Sequence, residues 1–201
     1  KDFPIIKIQN ALINPRQMVD KKKLLVMLAS VFTSSLVAQI YIAKKCDISF
    51  SAPTPIEDIA AINTAAKPLL NTKTGDLQMK ILMTAFIFEK PLMQEHFNEN
   101  YVESEKFPYA LFKGKLNEKI DFTKDGEYKT TATGKLTIHG VEKERTIDGV
   151  ITVKGSEITL SSSFKVLFED HGIVIPALYS GVIPPDASIK FNTQMEPFKK
   201  N

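Results

Sequence analysis

Tryptophan is missing from these 201 residues, and there are only one cysteine and three histidines. The shortages of cysteine and histidine each close a route. A lone Cys46 cannot build an internal disulfide framework, and Lys44-Lys45 before it does not suit lipoprotein processing, so the thiol reads as a buried spectator. His96, His139 and His171 show no metal-ligand spacing, and Glu95-His96 with Glu99 lacks the second histidine of a zinc-protease helix. Asp170-His171 supplies an acid and a base, but no serine sits in a nucleophile elbow. Glycine-rich phosphate loops are absent too: Gly114, Gly134, Gly140, Gly149 and Gly155 all fall on expected strands or hairpin turns. The missing tryptophan excludes nothing, because a chain of this length buries a sizeable core without it.

A long apolar run is also lacking. Met18 is followed by Lys21-Lys22-Lys23, then Leu24-Leu25-Val26-Met27-Leu28-Ala29, and small residues lead to Leu36-Val37-Ala38. A membrane anchor needs about 20 apolar residues, and Thr33-Ser34-Ser35 interrupts this one early. The pattern predicts a secretory signal peptide over 18–38, with 1–17 as upstream leader and a single domain over 39–201. The first 38 residues hold six basic and two acidic side chains out of totals of 26 and 23. That leaves 20 basic and 21 acidic, a net charge of −1, and no electrostatic case for nucleic acid.

What is present is alternation. Gln39 to Ala43 and Ile48-Ser49-Phe50 read as an opening strand. Thr54-Pro55-Ile56-Glu57 has the cap, proline and glutamate of a helix start, which predicts a short helix through Ile59, Ala60 and Ile62. A polar turn follows over 71–76. Leu77, Met79, Ile81 and Met83 then share one strand phase that runs towards Phe86 and Phe88. Leu92, Met93, His96, Phe97 and Tyr101 fall on one helix face, and Phe107-Pro108 ends that crossover.

The rest reads as a β-meander. Ala110, Phe112, Gly114 and Leu116 share a phase, and Ile120 and Phe122 lead into Asp125-Gly126, a hairpin signal. In the next strand Ala132, Gly134, Leu136 and Ile138 face one way and Thr131, Thr133, Lys135 and Thr137 the other. His139-Gly140 turns the chain. Ile147, Gly149, Ile151 and Val153 alternate up to the turn at Lys154-Gly155. Ile158, Leu160, Ser162, Phe164, Val166 and Phe168 form the longest phase. Ile173 and Ile175 stop at Pro176, and Ser188-Ile189-Lys190-Phe191 is the last strand. Short turns between such strands describe an antiparallel barrel or sandwich.

The inner phases are apolar, yet Ala85, Gly114, Ala132, Gly134, Gly149 and Ser162 on or beside them are small. A barrel of about eight strands is at the size where side chains either fill the interior or leave space for one ligand. The missing bulk predicts space, with Met79 and Met83 as deformable wall. An apolar cavity holds a hydrocarbon chain by transfer from water, about 0.8 kcal/mol per buried methylene, without any charged contact.

Thr54-Pro55-Ile56-Glu57, Leu92 to Tyr101 with Glu103-Ser104-Glu105-Lys106-Phe107-Pro108, Gly134 to Val141, Leu160 to Val166 and Ile173-Val174-Ile175-Pro176 together resemble the YceI-like family of bacterial secreted lipid- or polyisoprenoid-binding barrels. The resemblance spans roughly 40–191. It implies a mainly β fold, a lipocalin-like antiparallel eight-stranded barrel with short crossover helices, and a pocket for a long-chain amphiphile. It supplies no catalytic motif and no cofactor. Gly181-Val182-Ile183-Pro184-Pro185 departs from the polar connection expected before the last strand.

The expected function is an exported, periplasmic or secreted carrier of one isoprenoid or fatty chain, neither an enzyme nor an integral membrane protein; a homodimer is compatible with it. The expected lining is Met79, Ile81, Met83, Phe86, Phe88, Phe112, Ala132, Gly134, Leu136, Ile138, Ile151, Phe164, Phe168, Ile175, Ile189 and Phe191, with Leu92, Met93, Phe97 and Tyr101 gating one end. Two rival readings stand beside it: a hydrolase or isomerase around Asp170-His171, and a stress-response interaction module with a filled core.

Overall fold

The computed structural model describes residues 40–199; the expected leader and signal peptide lie outside the described residues. Ten strands run in the order β1 (Ile40–Pro53), β2 (Asp58–Asn63), β3 (Leu69–Asn71), β4 (Asp76–Leu82), β5 (Ile87–Phe88), β6 (Tyr109–Leu116), β7 (Gly126–Ile138), β8 (Val141–Lys154), β9 (Glu157–Leu167) and β10 (Asp186–Pro197). All pairings are antiparallel, and β10 returns to β1, so the sheet closes on itself.

The barrel has eight staves because two of them are broken. One edge of β1 pairs with β3 through Ile40–Ile42 and with β2 through Ile48–Pro53. In the next stave β4 pairs with β3, then yields to a one-turn 3-10 helix (Met83–Ala85) before β5 pairs with β2. Buried Asn63 joins the two breaks: its Nδ2 donates to the Leu82 carbonyl at 2.9 Å and its Oδ1 accepts from the Ala65 amide at 3.0 Å. Both ends of that amide are therefore satisfied where the ladder is interrupted.

The helix expected over 54–62 is a strand instead. Thr54 Oγ1 does accept from the amides of Ile56 and Glu57, as a cap does. The chain after it is taken up by β1, with Ala61 opposite Phe50 and Asn63 opposite Ile48. Burial of Ala61 and Asn63 on alternate positions outweighs a weak local helix signal. Asp125-Gly126 is not a two-residue hairpin turn either: residues 117–125 form a longer connection, and Asp125 Oδ1 accepts from the Gly155 amide at 2.8 Å. The turns at 71–76 and His139-Gly140 are where the sequence put them, the latter with φ of 50° and 74°. Positive φ at both central residues suits the twist of a two-residue hairpin.

In β1 the register shifts between Ala43 and Lys45. The extra residue lets Lys44 and Lys45 both stay in water while Ala43 and Cys46 remain on the inner side. Tyr41, Leu70, Ile151, Val153, Ile158 and Met195 pack one end of the barrel almost without exposure. The other end carries the turn 54–57, the crossover 91–108, the β7–β8 hairpin and the connection 168–185. There α1 (Pro91–His96) runs into a widened π turn (Phe97–Tyr101). Phe97 docks this helix on the barrel, with ring centroids 4.9 Å from Phe88 and 5.7 Å from both Phe50 and Phe86.

Candidate ligand-binding site

Since one end is packed solid, any space must lie towards the other. A cavity of about 630 Å³ opens there beneath α1. A second chamber of about 70 Å³ lies deeper, towards the packed end. Ile48, Ile81, Leu136, Phe164 and Ile189 border both and stand at their junction. The main volume falls within the about 300–1,000 Å³ of small-molecule sites. A larger depression on the outside of β1 and β7–β10 is open to solvent and lined by Ile62, Val150 and Phe191 together with hydroxylic and charged side chains such as Ser49, Ser161, Ser163 and Lys190.

Most of the expected lining gathers here. Ile81, Met83, Phe86, Leu136, Ile138 and Phe164 border the main chamber from the staves, and Phe168, Ile175 and Ile189 from around the last connection. Met93, Phe97 and Tyr101 reach it from above. Met79, Phe112, Ala132 and Phe191 border the smaller chamber, together with the small pair Gly149 and Ser162.

Four expected residues lie elsewhere. Phe88 is buried behind Phe97, and Ile151 is fully buried in the packed end. Leu92 is 60% exposed, on the outer side of a helix only six residues long. Gly134 faces no cavity: a Cβ there would lie 2.3 Å from Gly114 Cα. Its smallness serves close approach of β7 to β6, not room for a ligand.

The sequence reading missed Ile48, Phe50 and Ala52 of β1, whose alternation with Cys46 was a usable signal. It also missed Leu178, Tyr179, Val182 and Ile183 on the connection before β10. That segment has no periodicity, so nothing local marks it as a lip.

The polar groups of the main chamber fringe its open end, while Thr130, Asp148 and Ser162 border the deeper one. Thr54 and Glu57 come from the β1–β2 turn, His96 and Tyr101 from the crossover, and Tyr179 from the last connection. Glu57 pairs with Lys90, joining the β1–β2 turn to the start of α1. That hydrogen bond and the Glu57 charge hold the Lys90 ammonium above the usual lysine range. Burial pushes the Tyr101 phenol up, and the nearby Tyr179 phenol adds to it, so Tyr101 is a neutral hydrogen-bond donor.

A second polar network fastens the rim. His139, in the β7–β8 turn, places Nδ1 3.1 Å from the His171 carbonyl and Nε2 2.6 Å from Glu103 Oε2. The Phe107 ring packs edge-on against His139, where a side chain on Gly140 would collide with it. His171 is fully buried and directs Nδ1 at the Val141 carbonyl, 3.1 Å away. Asp170 lies 3.6 Å from Arg145 instead. The acid–base couple suggested by Asp170-His171 therefore does not form. Among the described residues no group of histidine, cysteine and carboxylates is placed to hold a metal ion, and no helix is long and apolar enough to cross a membrane.

Solved structures share this architecture. A polyisoprenoid binding domain from Saccharophagus degradans, implicated in plant cell wall breakdown, superposes with a TM-score of 0.68 at 12% identity, covering 79% of this chain and 98% of its own. BcnA from Burkholderia cenocepacia gives 0.63 at 15% identity, covering 74% and 95%. The YCEI protein of Campylobacter jejuni gives 0.53 at 20% identity, covering 67% and 81%. No protein of curated function matches the sequence. At these identities the likeness concerns the fold. The YceI-like domain model, however, matches residues 48–195, most of the barrel, and the chain belongs to the YceI-like family.

Proposed function

We propose that this protein is an exported, non-enzymatic carrier that holds one isoprenoid or fatty chain inside its barrel. The observation that carries the proposal is the apolar chamber of about 630 Å³, open at one end and extended by a smaller one at depth. Family membership supports lipid binding in general, and the Saccharophagus degradans neighbour is described as a polyisoprenoid binding domain. A chain lying along Ile138, Ile81 and Met79 exchanges hydration for apolar contact over its whole length. The basic, apolar and small-residue pattern of 18–38 supports export, to the periplasm or outside the cell. Neither nucleic acid nor a second copy of the chain is needed for this role.

The filled-core module is disfavoured by the size of the chamber, many times the roughly 30 Å³ share of one water. The lipid hydrolase is disfavoured by the separate partners of Asp170 and His171. Organic extraction of protein purified from its native host, followed by mass spectrometry, tests the carrier. A long-chain amphiphile at near-stoichiometric yield is expected. A reproducibly empty protein that prenyl lipids also fail to stabilise overturns it.

A further inference from the structure

The apolar wall of the chamber does not end at its mouth. Ile56 and Leu178 border the chamber and yet stand 79% and 82% exposed, and Tyr179 borders it half-exposed. Leu92 on α1 and Val174 on the connection before β10 are exposed as well. Three segments distant in sequence therefore bring apolar side chains to one opening. Such side chains scattered singly need no explanation, but a cluster of them with a polar rim marks a surface that meets a partner.

The charge of the rim says which partner. The turn 54–57, the crossover 91–108 and the connection 168–185 carry seven carboxylates and one lysine, while the rest of 40–199 carries 14 acidic and 18 basic side chains. Glu57, Glu103 and Asp170 are matched by Lys90, Lys106 and Arg145. Glu95, Glu99, Glu105 and Glu169 are exposed, with no ion pair among the described residues. A face that enters a bilayer joins apolar side chains to lysine and arginine, since membrane surfaces are negative. This lip is joined to unmatched carboxylates instead, which a negative surface repels and a basic one attracts.

We propose, resting on the carrier reading above, that the open end docks on a partner protein whose surface sets lysine or arginine around apolar side chains. Ile56 and Leu178 supply the apolar contact, and Glu95, Glu99, Glu105 and Glu169 steer and orient the partner. The lipid passes across this contact. A chain leaving through water would expose every methylene; one leaving across an apolar contact exposes almost none.

The probe is a fluorescein-labelled amphipathic helix of leucine and lysine, with its leucine–glutamate counterpart as control. Full-length protein loaded with farnesol should bind the basic peptide at least about tenfold more tightly than the acidic one at low salt. The gap should close at about 1 M salt, where charges are screened beyond a few ångströms. Replacing Glu95, Glu99 and Glu169 together by glutamine should narrow the gap, and Leu178→Ser should weaken both peptides. All four side chains are exposed, so these variants should fold as the parent does. Equal affinity for the two peptides, or a gap that the glutamine variant leaves unchanged, overturns the docking face while the carrier reading stands. So does flotation with vesicles of phosphatidylcholine and about one quarter phosphatidylglycerol that Leu178→Ser abolishes, which would assign the lip to a membrane. A protein that takes up no farnesol removes the carrier reading, and this proposal with it.

Discussion

Gly134 sits opposite Gly114 across β7 and β6, so close that a Cβ on Gly134 would lie 2.3 Å from Gly114 Cα and from the Lys113 carbonyl oxygen. The obstacle is backbone, which cannot swing away as a side-chain tip does. Gly134→Ala is expected to destabilise the fold by about 2–3 kcal/mol or more, read as a lower urea midpoint. Lipid bound per folded molecule should not change. A variant of full stability that has lost lipid would show that the position does face the ligand.

Leu136, two residues on, borders both chambers. Leu136→Trp places an indole at their junction. Titration with prenols of increasing length should show short chains unaffected and long chains weakened, by about 0.8 kcal/mol for each methylene kept out of the deeper space. Equal loss at every length would place the junction elsewhere.

The contact between His139 Nε2 and Glu103 Oε2 links residues 36 apart in sequence. Glu103 is partly exposed, so the pair contributes less than a buried one. Glu103→Gln should cost about 1–2 kcal/mol. Amide hydrogen exchange at Gly140 and Val141 should accelerate before exchange at Ile151 and Ile158 in the packed end. Uniform acceleration would show that the contact supports the whole barrel rather than its rim.

Burial holds the His171 imidazole below its ordinary value of 6.5, against smaller opposing contributions from Val141 and Asp170. The unfolded chain then binds a proton that the folded one refuses. Stability attached to His171 is present above about pH 6.5 and is lost as pH falls from there through the lower folded value. His171→Asn keeps a donor towards the Val141 carbonyl and removes the titration. Urea midpoints at about pH 7.5 and about pH 5 should differ less in this variant than in the parent protein. An unchanged difference would assign the acid sensitivity to other groups.

Cys46 lies on the inner side of β1, almost fully buried, and its thiol is pushed up to about 11, chiefly by that burial. It should resist iodoacetamide at neutral pH until the barrel unfolds, since the thiolate is the reacting form. Modification at the rate of an unfolded chain in native buffer would show that β1 and β10 separate readily.

Much of the barrel is legible along the chain because its signals are local. Inner and outer phases of β6 to β9 alternate with period two, and His139-Gly140 carries the residue types that a tight hairpin accepts. Less legible were the places where a distant partner decides. Thr54-Pro55-Ile56-Glu57 is a fair helix start, and only pairing with β1 makes the next six residues a strand. The lip at Leu178, Tyr179 and Ile183 has no pattern to read, although Leu178 borders the chamber while 82% exposed.

By itself, then, the sequence determined the antiparallel meander of β6 to β9, the face each of their residues turns inward, and the crossover helix. Alternation reports which way a side chain points. It cannot report how far away the opposite wall stands, because that distance follows from the closure, bending and breaks of eight staves. The tertiary structure alone decided that Ala132 borders a void, that Ile151 lies in solid packing and that Gly134 lets two backbones meet. All three occupy the same inner face of the sheet, and only the geometry of closure separates their roles.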